Sequence, residues 1–434
     1  MAKSFLLSLP PEVMSYIFIK LNKNELRNLM LTCKFLRKII INDNTLWRSQ
    51  QHHGLIIFNS FGNRKPDTIT WYDRCRISYN WCNGIYQNKV LLHHYVNYMP
   101  WIKFHNSEIL VVSFGSELHA YKSDRKGIPN CHKVAWKLKV PTVKRDDVRT
   151  NDVSRFVFKD QFLVCGNRDG CFALYHTNDI AKMPQFLCHV VDCHDNGLLE
   201  VTAVELINKT EGCPIVVSGS NYSPNLKLFS IKLDNNTQRS LDDEMGHIDC
   251  RNIEIENGRG VSCIQCNSMN DRLIVGLYEN SKPILIDVNI GEVIMTQSES
   301  RNVVRDVQWH NENVIVYVTH SGSLQLIDTR THEVIFHQLD PFQSTLYCVK
   351  SDGDRAVVVG SAEYSRCVLF DVRNMKHHQQ IYFTQKKVSP IYSLDFDSTK
   401  LIAAADRSVA VLNFNETSYA EKRDYSQIFE FVNR

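Results

Sequence analysis

Leu273-Ile274-Val275-Gly276, a polar turn, then Leu285-Ile286-Asp287: this stretch is one copy of a unit that governs most of the chain. The full unit is an apolar run, a turn, a second apolar run often ending in Gly, another turn, and a run closing on an apolar pair plus a polar residue. The second runs recur seven times, as Ile109–Val112, Phe162–Gly166, Ile215–Gly219, Leu273–Gly276, Val314–Tyr317, Ala356–Gly360 and Leu401–Ala404. From Asp287 through Asp328 and Asp371 to Asn413 the steps are 41, 43 and 42 residues. Short β-rich runs at a period of ~40–45 residues read as one four-stranded sheet per repeat in a radial array. Earlier copies are longer. The charged stretch 141–152 and the polar, turn-rich stretch 234–258 are read as the insertions.

The third runs carry a resemblance. Leu285-Ile286-Asp287, Leu326-Ile327-Asp328 and Leu369-Phe370-Asp371 are similar to the endings of WD repeats, with Ile or Phe in place of Trp. Leu174-Tyr175-His176, Leu228-Phe229-Ser230, Val411-Leu412-Asn413 and Ala120-Tyr121-Lys122 are more degenerate partners. The resemblance implies an all-β, seven-bladed β-propeller over 98–434. The usual Gly-His partner occurs only as Gly246-His247, so apolar packing is expected to replace its hydrogen bonds. Ring closure needs a strand from the far terminus, and either 84–94 or 425–432 can supply it.

Working outward, residues 1–50 have a different period. Leu9-Pro10-Pro11 leads into Val13, Met14, Ile17, Phe18 and Leu21 at helical spacing. Asn24 is the expected N-cap of a second helix bearing Leu26, Leu29, Met30 and Cys33, and a third helix carries Phe35, Leu36, Ile39 and Ile40. The run Tyr16-Ile17-Phe18-Ile19 covers most of a helix circumference, more than ~45 residues can bury. The surplus points to a partner, either another chain or the rest of this one. Leu9-Pro10, Glu12, Ile17, Leu21, Leu26, Leu29, Cys33, Phe35 and the closing Leu46-Trp47 resemble an F-box, with Thr32 where Val is usual. Between the two parts, 51–97 is read as linker, with a helix from Thr68 to Trp81 followed by Gly84. Asn80-Trp81-Cys82-Asn83-Gly84 is similar to the Asn-Trp-x-x-Gly junction of F-box/WD-repeat proteins.

The resemblance implies a function. F-box/WD-repeat proteins are substrate receptors of SCF ubiquitin ligases: the F-box docks on a Skp-family adaptor and, through it, on cullin and RING subunits. The propeller binds the protein to be ubiquitinated for proteasomal degradation. The adaptor-binding residues would be Leu9, Pro10, Glu12, Ile17, Phe18, Leu21, Leu26, Leu29, Cys33, Phe35 and Leu36. In WD propellers the residue after the first apolar position of each repeat lies near the channel mouth. That register places Trp101, Arg305, Tyr347 and Tyr392 at one mouth, residue types that dominate interface energetics. The degenerate repeats and short N-terminal segment look most like the dactylin branch. The alternative is a propeller scaffold whose F-box has a non-degradative role.

Composition narrows the field. A chain of 434 residues with 43% apolar and 22% charged content is globular and has room for two or three domains. A net charge of +3 implies no general attraction to nucleic acid or to a membrane surface. The Met1-Ala2-Lys3-Ser4 start lacks a signal-peptide core, so a cytoplasmic or nuclear location is expected, with the fourteen cysteines as thiols. No phosphate-binding loop, nucleophile elbow or His-Glu-x-x-His occurs, so a non-catalytic subunit without cofactor is expected. Cys263-Ile264-Gln265-Cys266 is a single pair on a strand, where alternation separates the sulfurs. Cys188, His189, Cys193 and His194 form the one dense set of soft ligands, but without the two separated turns of a structural zinc site.

Overall fold

The structure, a computed structural model, describes residues 5–50, 54–55, 69–94, 98–146, 150–208, 213–232, 248–256, 258–295, 302–383 and 389–417. The chain divides into two compact units. One comprises Met1–Gln87, Asp397–Lys400 and Asn413–Arg434; the other comprises Asn88–Phe396 and Leu401–Leu412.

In the first unit, α1 (Pro11–Phe18) starts on an extended Pro10, whose fixed φ suits a helix entry. The second helix, α2 (Lys23–Thr32), is capped by Asn22 and not by Asn24. The Asn22 side chain accepts from Glu25 N at 3.0 Å, and Glu25 returns a carboxylate to Asn22 N at 2.8 Å. This reciprocal capping box needs an acid three residues after the cap, a spacing that Asn22 has. A third helix, α3 (Lys34–Asn42), is followed by α4 (Asn44–Ser49), a helix absent from the sequence reading. The polar turn that ends α3 also starts α4, because Asp43 accepts from Leu46 N. Met14, Phe18, Leu26, Leu36, Ile40, Leu46 and Trp47 close the core, joined by Cys75 from α5 (Trp71–Asn83).

α5 runs between a Thr70 cap and a left-handed Gly84 at φ 64°, a conformation that costs glycine nothing. Trp81 is buried, stacks on Phe414 with centroids 3.6 Å apart, and donates to Ser398 O at 2.8 Å. Asn80 donates to Phe414 O at 2.7 Å. Both residues of the Asn-Trp motif therefore bind C-terminal segments of the same unit.

Among the described residues of the second unit and its margins, the strands form seven four-stranded sheets, each antiparallel where register is resolved. Six sheets use consecutive strands, over 102–139, 153–190, 203–254, 261–295, 304–339 and 346–382; we call these blades 1 to 6. Blade 7 takes three strands from 391–413, and Gln87–His93 completes it as the fourth. That strand lies inside the stretch read as linker. The alternative closing segment, 425–432, lies outside the described residues, as does Gly246-His247. The third sheet's fourth strand, Ile248–Glu254, falls within the stretch read as an insertion, so only part of 234–258 is additional to the blade.

The apolar runs become the packed middle strands, and clusters form between consecutive blades. Ala203, Val217 and Leu228 of blade 3, for example, meet Val261, Leu273 and Ile286 of blade 4. Packing is not alone in joining blades. Each first strand is a sheet edge whose outward N–H groups need acceptors. The preceding blade supplies them: Glu205 accepts from Cys266 N at 3.1 Å, Gln265 from Trp309 N at 2.7 Å, and Gln308 from Ser351 N at 2.8 Å. Asp395 accepts from Phe104 N at 2.9 Å, which ties blade 7 to blade 1.

Candidate binding sites

On the helical unit, the residues expected to meet an adaptor separate into two groups. Phe18, Leu26 and Leu36 are buried in the unit's own core and so build its scaffold. Leu9, Leu21, Leu29 and Cys33 are half-buried against that core, while Pro10 and Glu12 are exposed. Ile17 and Phe35 stand out, 39% and 50% exposed. Val13 and Leu31, which the sequence does not mark as contact residues, are both exposed, as is Tyr16 at 71%. Val13, Tyr16 and Ile17 stand three and four residues apart on α1 and so share one helix face. The signal available was the Tyr16–Ile19 run, which exceeds what one face can bury.

On the propeller, a device invisible in the sequence sets the channel mouth. A register shift interrupts the first strand at Val153/Arg155, Val261/Cys263, Val304/Asp306, Leu346/Cys348 and Ile391/Ser393. Ser154, Ser262, Arg305, Tyr347 and Tyr392 are the extra residues, and a bulge re-aims such side chains. Ser262 uses its position to donate to Val304 O of the next blade, and Thr202 donates to Val261 O in the same sense. Arg305, Tyr347 and Tyr392 do not bridge in this way and are brought together. The Arg305 guanidinium lies 5.5 Å from the Tyr347 ring centre, and Tyr347 meets Tyr392 edge-on at 5.2 Å. Burial and a hydrogen bond with Asp406 push the Tyr392 phenol up.

Trp101 belongs to a neighbouring set. Arg155 stacks on it at 4.2 Å and reaches across the channel from blade 2 to Asp306 of blade 5 at 3.4 Å. Arg168 pairs with Glu200 at 2.8 Å and stacks on Tyr98 at 4.6 Å. Burial, with the Glu200 charge beside it, pushes the Tyr98 phenol up to about 12. Tyr278 feels Arg305, Glu200 and Arg155 together and so links the sets. The sequence reading missed Arg155, Arg168, Glu200, Tyr98 and Tyr278. Arg155 was hidden by the bulge before it, and the others come from turns and connections without a repeat register. Below the mouth, a cavity of about 230 Å³ is lined by Lys103, Lys159, Glu205, Asp306 and Lys350 among others. Burial raises the Glu205 and Asp306 carboxyls.

The soft-ligand stretch is used internally. His194 Nε2 and Ser218 Oγ are 3.0 Å apart, and burial lowers the His194 pKa to about 4. The Cys193 thiol donates to Val190 O, and burial pushes the Cys188 thiol up to about 12, a poor start for a thiolate ligand. No group of three or more His, Cys, Asp or Glu suited to a metal occurs among the described residues. Cys263 and Cys266 fall in different apolar clusters.

Residues 6–51 match the F-box-like family. With the seven four-stranded sheets that follow, this match supports the organisation of an F-box/WD-repeat protein. Its curated relatives include F-box/WD repeat-containing protein 4 of Mus musculus, 23% identical over 421 residues, or 94% of this chain and 92% of that one. The Homo sapiens protein of the same name is 23% identical over 422 residues, with the same coverage. Among solved structures, the computationally designed Ika8 protein overlaps 75% of this chain and 99% of its own, at 14% identity and a TM-score of 0.48. An F-box followed by a propeller fits an SCF substrate receptor in general, and F-boxes generally imply binding to a Skp-type adaptor.

Proposed function

We propose that this chain is the substrate-recognition subunit of an SCF ubiquitin ligase, within the dactylin-like branch and acting in the cytoplasm or nucleus. The observation that carries the reading is the apolar surface left on a short helical unit whose core is already closed. Val13, Tyr16, Ile17, Leu31 and Phe35 remain exposed around a filled interior. Covering such side chains is worth about 25 cal/mol per Å² of apolar area removed from water. A Skp-type adaptor, bringing cullin and RING subunits, is the partner that the F-box implies.

The receptor itself does no chemistry in this reading. It holds a protein at the propeller mouth so that a lysine of that protein meets the ubiquitin thioester at high effective concentration. The bound protein is then marked for degradation.

The test is co-purification with a Skp-family adaptor, comparing the intact chain with an Ile17→Asp, Phe35→Asp double variant. Both positions are exposed, so the variant keeps its core. Capture by the intact chain and loss in the variant is the expected result. Equal capture would put the adaptor on another face, and no capture by either would remove the receptor reading.

A further inference from the structure

The charges around the propeller mouth are unequally compensated, and this narrows what can bind there; the inference rests on the mouth being the substrate-binding face. Arg155 has its carboxylate in Asp306 at 3.4 Å, and Arg168 has Glu200 at 2.8 Å. Arg305 has no carboxylate partner among the described residues. Its polar contact is His320, with Nη2 and Nδ1 3.0 Å apart. Since Arg donates, Nδ1 must accept, so the imidazole is neutral. Burial and Arg305 itself hold the His320 pKa down, in keeping with that state. The Arg305 Nε–H is buried and has no acceptor among the described residues. Tyr347, with Tyr392 edge-on behind it, walls one side.

We infer that the mouth reads an unphosphorylated acidic side chain, with the carboxylate of an Asp or Glu in the bound protein pairing with Arg305 against the tyrosine wall. A guanidinium without a carboxylate of its own matches one in charge and in hydrogen-bonding geometry. A phosphate brings about −1.5 to −2 charges and asks for several free cations. Here two of the three arginines already hold carboxylates, and Glu200 and Asp306 would repel a dianion.

The experiment uses the intact chain and an immobilised library of short peptides with a fixed central Glu, Gln or phosphoserine and randomised flanks. Selected sequences are then measured singly by fluorescence anisotropy. Glu-centred peptides should bind about tenfold tighter than their Gln counterparts, the loss expected for one charge-assisted hydrogen-bonded contact. Phosphoserine should bring no gain over Glu. Arg305→Ala should erase the preference for Glu over Gln, and Arg305→Lys should keep part of it, with thermal unfolding reporting that each variant is folded. Tighter binding of phosphoserine by tenfold, or equal binding of Glu and Gln, overturns the carboxylate inference and leaves the mouth as a receptor face. Selection of no peptide overturns the mouth reading itself. Adaptor co-purification is independent of every arm.

Discussion

Gly219 ends the second strand of blade 3 because a Cβ there would lie 2.6 Å from Val261 Cγ1, the first residue of blade 4. The glycines that close several of the second runs are thus places where neighbouring blades meet, a role that the sequence pattern marks without explaining. The terminal polar residue of the third runs has a comparable local task. Asp287, Asp328, Asp371 and Asn413 each accept from the backbone N–H two residues on, at 2.7 to 3.1 Å, and for the three aspartates this sets the turn into the next strand. His194 yields a prediction. Its pKa falls from 6.5 to about 4 on folding, so the unfolded chain binds the extra proton between those values. The stabilisation is complete above pH 6.5 and is lost as pH falls toward 4, on the order of 3 kcal/mol for this residue. His189 and His310 shift in the same direction. In a series of urea unfolding curves from pH 7 to 4.5, His194→Gln should flatten the decline without abolishing it.

The helical unit shows how a cap is chosen among neighbours. Asn22 and Asn24 are both plausible from composition, but Glu25 stands three residues after Asn22 and completes a reciprocal pair. Asn22→Ala should cost about 1 kcal/mol and Asn24→Ala a few tenths, compared by chemical denaturation of the intact chain. A reversed order would mean that the capping box does not form. The first strands of the propeller teach the opposite lesson. Their apolar register was legible, and so was the grouping of Arg305, Tyr347 and Tyr392. The bulges that aim these side chains were not, because a bulge is one unpaired residue whose sequence cost is nil.

Blade 7 joins Gln87–His93 to three strands contributed from more than 300 residues later. Without that strand, Ser408–Asn413 would present an open edge, the usual template for aggregation. A chain beginning at residue 98 should therefore elute as aggregate in size-exclusion chromatography, whereas one beginning at Gly84 should give a larger monomeric fraction. Equal behaviour of the two would show that the closing strand is dispensable. Leu91 gives the strand a further hold, since it is buried with Val409 and Val411.

Periodicity alone decided the seven-fold repeat, the helical N-terminal module and the surplus of apolar residues on it, because each depends on spacings of two to four residues or on a regular period near 42. Tertiary structure decided which of those apolar residues are interior. Phe18 and Ile17 are adjacent and equally apolar, and only packing against Leu26 and Ile40 puts one inside and leaves the other out. It also decided the charge balance of the mouth. Arg155 finds Asp306 across the channel, 151 positions along the chain. Such a pair has no local signature, since its energy depends on a distance that exists only once the ring has closed.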